Sequence, residues 1–203
     1  MLNIRKKVLY LFITHKKNHK SVLNKISSID LPSIAVVGSN EYYFDGKTLF
    51  VDALDNYDGL PEKVFKALIY TTTIDKFNKF THFCKLDDDM RINKYFSQKI
   101  LFNLHYGGNV QYSEGIRNWG VEKFSKNSKF SNENYEGEFV PWCRGGYGYI
   151  VSREAINQIK KMNVDFIEEP YEDLLIAKLL NKKGIYPKNI ENLHSYIYSK
   201  DHN

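Results

Sequence analysis

The hydrophobic pattern opens with Val8-Leu9-Tyr10-Leu11-Phe12-Ile13, an unbroken apolar run, and returns with Ser33-Ile34-Ala35-Val36-Val37 closed by Gly38. Continuous runs of this length mark strands covered on both faces, because a half-solvated strand would alternate. Between them Val22, Leu23 and Ile26 recur at helical spacing, so the order reads strand, helix, strand. A turn-rich stretch holding Phe50-Val51-Asp52 leads to Pro61, which opens a helix whose Val64, Phe65, Leu68 and Ile69 share one face. Thr81 to Leu86 reads as a third strand that runs straight into Asp87-Asp88-Asp89. Asn93 is expected to cap the next helix, which would carry Phe96, Ile100, Leu101 and Leu104 on one side. Residues 114–138 are polar and aperiodic, and long irregular segments inside a compact domain are more often functional than decorative. Tyr147 to Val151 is a fourth strand, Ser152 an N-cap for a helix from Arg153 to Met162, and Glu172 to Lys183 a last helix stopped by Gly184. Strands separated by helices predict a three-layer α/β sandwich around a mostly parallel, Rossmann-like sheet. Ligands of such sheets gather beyond the carboxyl ends of the strands.

Composition narrows this picture. A chain of 203 residues, 42% hydrophobic and 15% aromatic, suits one domain over 1–203 with a packed core rather than intrinsic disorder. The longest early apolar run falls far short of the roughly 18–20 residues of a spanning helix, and it is short for a secretory leader, so no membrane span is expected. The net charge of +5 suggests an anionic partner until it is located. Residues 1–29 hold seven Lys or Arg and no acid, which leaves 22 bases against 24 acids in the rest. A nucleic-acid groove needs basic residues along a whole face, so no nucleic-acid partner is expected. Two cysteines, Cys84 and Cys143, neither staple a secreted scaffold nor build a zinc site, and fit a reducing, cytoplasmic compartment.

The candidate chemistry starts at Asp87-Asp88-Asp89. Adjacent carboxylates repel and raise one another's pKa unless a cation compensates. A hard divalent ion is one such cation, since Mg²⁺ or Mn²⁺ takes one or two carboxylates and completes its shell with water and phosphate oxygens. A solvated acidic turn is the competing reading. Glu172 and Asp173 could likewise be acid–base groups or a first helical turn complementing the helix dipole. Gly145, Gly146 and Gly148 suggest a strand backbone approached closely by a ligand or by a neighbouring strand. Thr14-His15-Lys16-Lys17 follows the first strand and falls on the ligand side of the sheet, as a loop meeting an anion or as a solvated one.

Four phrases in order resemble the β-1,3-galactosyltransferase and N-acetylglucosaminyltransferase group, which includes the fringe and core-1 enzymes. Lys85-Leu86-Asp87-Asp88-Asp89-Met90-Arg91-Ile92-Asn93 is similar to its aspartate signature. Phe50-Val51-Asp52 with Asp55-Asn56-Tyr57, Leu60 and Lys63 resembles the stretch upstream of it. Pro141 to Arg153 resembles the family's glycine-rich strand and Ser-Arg helix start, and Glu172-Asp173-Leu174-Leu175-Ile176 its Glu-Asp-Val element. The glycine phrase departs from the pattern, reading Gly-Gly-Tyr-Gly where three glycines are usual, and the first 50 residues match poorly.

The resemblance implies a GT-A fold, a UDP-sugar donor, a Mn²⁺ cofactor with Mg²⁺ as substitute, and inversion at the anomeric carbon. Carried over by position, it implies Asp87 and Asp89 at the metal, joined by His194 after the last helix. It would also set Lys63, Asp87 and Asp88 along the nucleotide sugar, and Thr14, Gly145 and Gly146, read from their places at the strand ends, would join them. Asp173 would be the general base, with Glu172 as alternate. Arg117, Trp119, Trp142 and Arg144 would meet a glycan or glycoprotein acceptor, the two indoles by stacking on a sugar ring unless they are simply core. The expected reaction is transfer of a hexose or N-acetylhexosamine to an acceptor hydroxyl. A sugar nucleotidyltransferase would also use paired aspartates and a metal, but usually has a glycine-bearing phosphate loop after the first strand, and Thr14 to Lys20 has no glycine. A nonenzymatic anion- or nucleic-acid-binding domain is the third alternative, and the near-neutral body of the chain argues against it.

Overall fold

In the computed structural model, which describes residues 6–112, 121–131 and 135–199, every residue of β1 (Val8–Ile13) is buried. The alternation of the strand sorts them into two cores. Leu9, Leu11 and Ile13 join one apolar cluster, and Val8, Tyr10 and Phe12 join the other. The chain continues through α1 (His19–Ser27), β2 (Ser33–Ser39), β3 (Tyr43–Phe44), β4 (Thr48–Asp52), α2 (Leu60–Thr71), β5 (His82–Asp87) and β6 (Met90–Ile92). It then forms α3 (Gln98–Leu101), β7 (Tyr106–Gly108), β8 (Val110–Gln111), β9 (Trp142–Cys143), β10 (Tyr149–Ser152), α4 (Arg153–Ile159), α5 (Glu172–Asn181), β11 (Lys188–Asn189) and β12 (Ile197–Ser199).

Among these residues an eight-stranded sheet has the order β11-β7-β10-β5-β1-β2-β4-β3. Parallel pairing joins β5 to β1, β1 to β2, and β2 to β4, while β10 runs antiparallel to both β5 and β7. Val64, Phe65 and Leu68 of α2, Ile156 and Ile159 of α4, and Leu174, Ile176 and Leu180 of α5 cover one face. Val22 and Ile26 of α1 and Leu101 of α3 cover the other, together with the small β6–β12 ladder. The expected three-layer α/β sandwich with a mostly parallel sheet is therefore the observed fold. No helix among the described residues is long and apolar enough to cross a membrane.

Three local expectations are corrected. Phe50-Val51-Asp52 is not a turn but the end of β4, whose Leu49 and Val51 point into the core while Asp52 faces solvent. Asn93 does not cap a helix. Its backbone N–H donates to Tyr196 O at 2.7 Å and its Nδ2 to Ser195 O at 3.2 Å, which extends the β6–β12 ladder. The helix starts only at Ser97, whose hydroxyl accepts from Ile100 N, and lasts four residues. The glycine phrase is not strand either: Gly145–Tyr147 is a tight 3₁₀ turn, and Gly148, at φ +74°, delays the strand to Tyr149. Ser152 caps α4 as expected, accepting from Ala155 N, and Gly184 follows α5 at φ +71°.

Candidate active site

Strand alternation decides which side chains of the aspartate phrase can meet. Phe83 belongs to the α5-side core and Cys84 and Leu86 to the α1-side core. Two residues on from Phe83, Lys85 therefore points toward α5, and Asp87 follows it to the same side. Asp88 turns the other way. Antiparallel β10 places Tyr149 opposite Lys85 in the register. Because β10 runs backwards, its amino end, the Gly145–Tyr147 turn, arrives at the same edge of the sheet as the carboxyl end of β5.

Lys85 is the centre of what results. It is 1% exposed, and its Nζ lies 2.6 Å from Asp87 Oδ1, 2.6 Å from Glu172 Oε1 and 3.2 Å from Gly145 O. Burial alone would lower its pKa, but the carboxylates of Asp87 and Glu172 outweigh it and hold the lysine protonated. The second oxygen of Glu172 accepts from Tyr149 Oη at 2.8 Å. Burial pushes the Glu172 carboxyl up to about 7, against Lys85 and with Asp173 and Asp87 adding. Next to it, Asp173 Oδ2 accepts from Gly145 N at 2.9 Å and Oδ1 from Leu174 N at 2.9 Å. One chain of polar contacts thus runs from Asp87 through Lys85 and Gly145 to Asp173. Gly145 is required here, since a Cβ on it would fall inside contact distance of Glu172 Oε1.

The α1 side holds the other half of the turn. Asp88 Oδ2 accepts from Thr14 Oγ1 at 2.8 Å and from Asn18 Nδ2 at 2.9 Å. Lys25 of α1 donates to the carbonyls of Asp88 and Met90. Asp89 is exposed, and its carboxyl is pushed upward by partial burial and by Asp87 and Asp88, with Lys25 opposing. Lys63, itself buried, donates to Thr14 O at 3.1 Å and to Asp55 Oδ1 at 2.8 Å. Burial would raise Asp55, but Lys63 and the N–H groups of Lys16 and Gly38 outweigh it and hold its carboxyl below the usual range. A cleft of about 420 Å³ opens over these groups, lined by Thr14, His15, Asn56, Tyr57, Lys63, Asp87, Asp88, Asp89 and Lys123 among others.

The residues singled out from sequence are thus only partly gathered. Thr14, Lys63 and Asp87 to Asp89 share that cleft, and Gly145, Glu172 and Asp173 join it through Lys85. Gly146 has open space where a side chain would stand. His194 is exposed and lines a separate cleft, and no group of three or more His, Cys, Asp or Glu among the described residues could hold a metal by itself. Trp142 is 2% exposed and packed against Phe139, so its ring has no open face for a sugar. Arg144 is exposed and its guanidinium donates to Gln111 Oε1. Arg117 and Trp119 lie outside the described residues. Sequence reasoning assigned no role to Lys85, Tyr149 or Lys25. The signal for Lys85 was a lone cation inside an apolar strand, two positions before Asp87 and therefore on its face.

The donor set of the turn suits a shared metal. Asp87 has one oxygen committed to Lys85 and Asp88 one oxygen held by Thr14 and Asn18, which leaves Asp89 and the second oxygens of Asp87 and Asp88. One or two hard oxygen ligands are what an ion completed by phosphate and water needs.

The fold and this carboxylate edge together describe an α/β protein with an acidic cleft beyond the carboxyl ends of its strands, and the sequence comparison fixes the family. Residues 34–191 match the model of the Galactosyltransferase family, and the chain belongs to it. The chain is also 28% identical over 152 residues to the human UDP-GalNAc:beta-1,3-N-acetylgalactosaminyltransferase 1 and 28% identical over 159 residues to the pig protein of that name. Each match covers 73% of this chain and 44% of the relative, so the chain spans less than half the length of these proteins. Among solved structures it is similar to A197 from STIV, with TM-score 0.47 and 12% identity over 91% of this chain and 81% of that one.

Proposed function

We propose that this glycosyltransferase moves a hexose or N-acetylhexosamine from a UDP-sugar to a hydroxyl of a glycan or glycoprotein, with a divalent metal and inversion at the anomeric carbon. The observation that carries this reading is the Asp87–Lys85–Gly145–Asp173 chain, which couples a cation-seeking turn to a second carboxylate. The relatives' name, with its UDP-GalNAc donor and beta-1,3 linkage, supports the choice of donor.

In this reading Asp89 and Asp87 hold Mn²⁺ or Mg²⁺, which when bound neutralises the charge that builds on the departing diphosphate. Lys123 gives the cleft a cationic wall for the same phosphates, while Lys63, paired with Asp55, holds the Thr14 carbonyl beside it. Asp173 is the general base that takes the proton of the acceptor hydroxyl, a role worth roughly 10²- to 10⁴-fold. Glu172, whose oxygens meet Lys85 Nζ and Tyr149 Oη as those of Asp173 meet the N–H groups of Gly145 and Leu174, is the alternate base. Hydrogen bonds from Gly145 N and Leu174 N fix the Asp173 carboxylate in one orientation.

The test is UDP release from UDP-GalNAc, UDP-Gal, UDP-GlcNAc and UDP-Glc with Mn²⁺. One donor is expected to turn over, and Asp89→Asn and Asp173→Asn to lower kcat by at least about 10²-fold. Binding of none of these donors, or full turnover by Asp89→Asn, would sink the reading.

A further inference from the structure

A second cleft, of about 590 Å³, is walled by Gly146 and Tyr147 of the glycine turn, by Asn109 after β7, and by residues 189–194 and 197–199. Its chemistry differs from that of the Asp87–Asp89 cleft. No Lys or Arg is among the described residues that line it, and its one basic side chain is the imidazole of His194. It presents four carboxamides, Asn93, Asn109, Asn189 and Asn192, and one carboxylate, Glu191.

Two of these amides are fixed at one end and open at the other. Asn93 donates through Nδ2 to Ser195 O at 3.2 Å and keeps its oxygen, while Asn189 accepts from Val110 N at 3.3 Å and keeps its NH₂. A carboxamide offers a donor and an acceptor in one plane, the pair that two neighbouring sugar hydroxyls match, and a carboxylate accepts from two hydroxyls. Asn192 stands at φ +54°, a left-handed conformation that a bulky residue resists and an Asn tolerates.

We propose that this cleft binds the neutral pyranose of the acceptor, so that donor phosphates and acceptor sugar occupy two chemically distinct clefts beside the Gly145–Tyr147 turn. The assignment rests on the transferase reading and says where its acceptor lies, a place different from the aromatic and arginine residues suggested by the sequence.

The experiment is a titration of the isotopically labelled protein, read at the side-chain amide signals of Asn109, Asn189 and Asn192. One arm adds methyl β-galactopyranoside or the methyl β-glycoside of N-acetylglucosamine, and the other adds UDP with Mn²⁺. The glycoside arm is expected to shift these amides and the UDP arm to leave them in place. Asn192→Gly, which relieves rather than strains the backbone, and Glu191→Ala should each weaken glycoside binding at least about tenfold, the loss of one good hydrogen bond to a sugar, while UDP binding holds. Glycosides that leave the amides unmoved, variants that bind them as the parent does, or amides that answer to UDP instead would each overturn the proposal. Failure of UDP to bind anywhere would strike the donor reading alone, because the glycoside arm is read without it.

Discussion

Replacing Lys85 by Met tests the link between the two halves of the site. Lys85 and Glu172 are 1% and 6% exposed at their side chains and 2.6 Å apart. At an effective dielectric of about 20 that separation gives an attraction of about 6 kcal/mol, set against a desolvation cost of several kcal/mol for each ion. The intact pair therefore stands near break-even, but a lone survivor does not. Lys85→Met removes the cation that favours the ionised Glu172 and leaves it buried with Tyr149, which should cost about 3–5 kcal/mol at a pH high enough to keep it ionised and less where it takes up a proton. Asp87, with a side chain 38% exposed, is screened by water, so Asp87→Asn should cost no more than about 1 kcal/mol of stability while removing a proposed metal ligand. Lys85→Met with Glu172→Gln removes both charges, keeps an acceptor for Tyr149, and should recover at least about 2 kcal/mol of the single-variant loss. Urea unfolding of the parent, Lys85→Met, Glu172→Gln and the double variant gives the coupling energy, and UDP release gives activity. The double variant is expected to fold and remain slow, since Asp87 has lost its tether. Costs that add within about 0.5 kcal/mol would show that the pair carries no energy and would refute the argument.

Two further outcomes follow from burial and geometry. Gly145→Ala should destabilise by about 2 kcal/mol or more because its Cβ would press on Glu172 Oε1, whereas Gly146→Ala, with open space at that position, should lie within about 0.5 kcal/mol of the parent in thermal unfolding. His82 is buried, and burial pushes it down to about 4, with the Leu104 carbonyl opposing and the charges of Lys6 and His105 adding. The unfolded imidazole takes a proton near 6.5 and the folded one only near 4, so its contribution is complete above about pH 6.5 and is lost as the pH falls toward 4. Between pH 7 and 5 the loss should be about 2 kcal/mol in urea unfolding, and a His82→Asn variant showing the same pH slope would rule out this source.

The parts of the fold legible in the sequence were those that local pattern determines. Six buried residues in a row can only be an inner strand, so β1 and β2 were plain, as were the helical periods of α1, α2 and α5 and the cap at Ser152. What failed depended on partners far along the chain. Met90 to Asn93 pairs with a segment about a hundred residues later, and that pairing, not the capping preference of Asn93, fixes its conformation. β4 passed for a turn because it is short and flanked by Asp45-Gly46 and Asp52, although its Thr, Phe and Val favour a strand.

The direction of β10 explains most of what was hidden in the site. Had β10 run parallel to β5, Gly145 to Gly148 would lie at the far edge of the sheet, away from Asp87. Running antiparallel, it brings the turn's N–H to Asp173 and its carbonyl to Lys85, and its first residue, Tyr149, to Glu172. Strand direction leaves no mark on the alternation of one strand, because a period of two reads the same both ways. The basic excess of the first 29 residues gains a local meaning in the same manner. Its Lys25 meets the carbonyls of the turn that carries three carboxylates, so part of a charge that looked like bait for an external anion instead offsets an internal one.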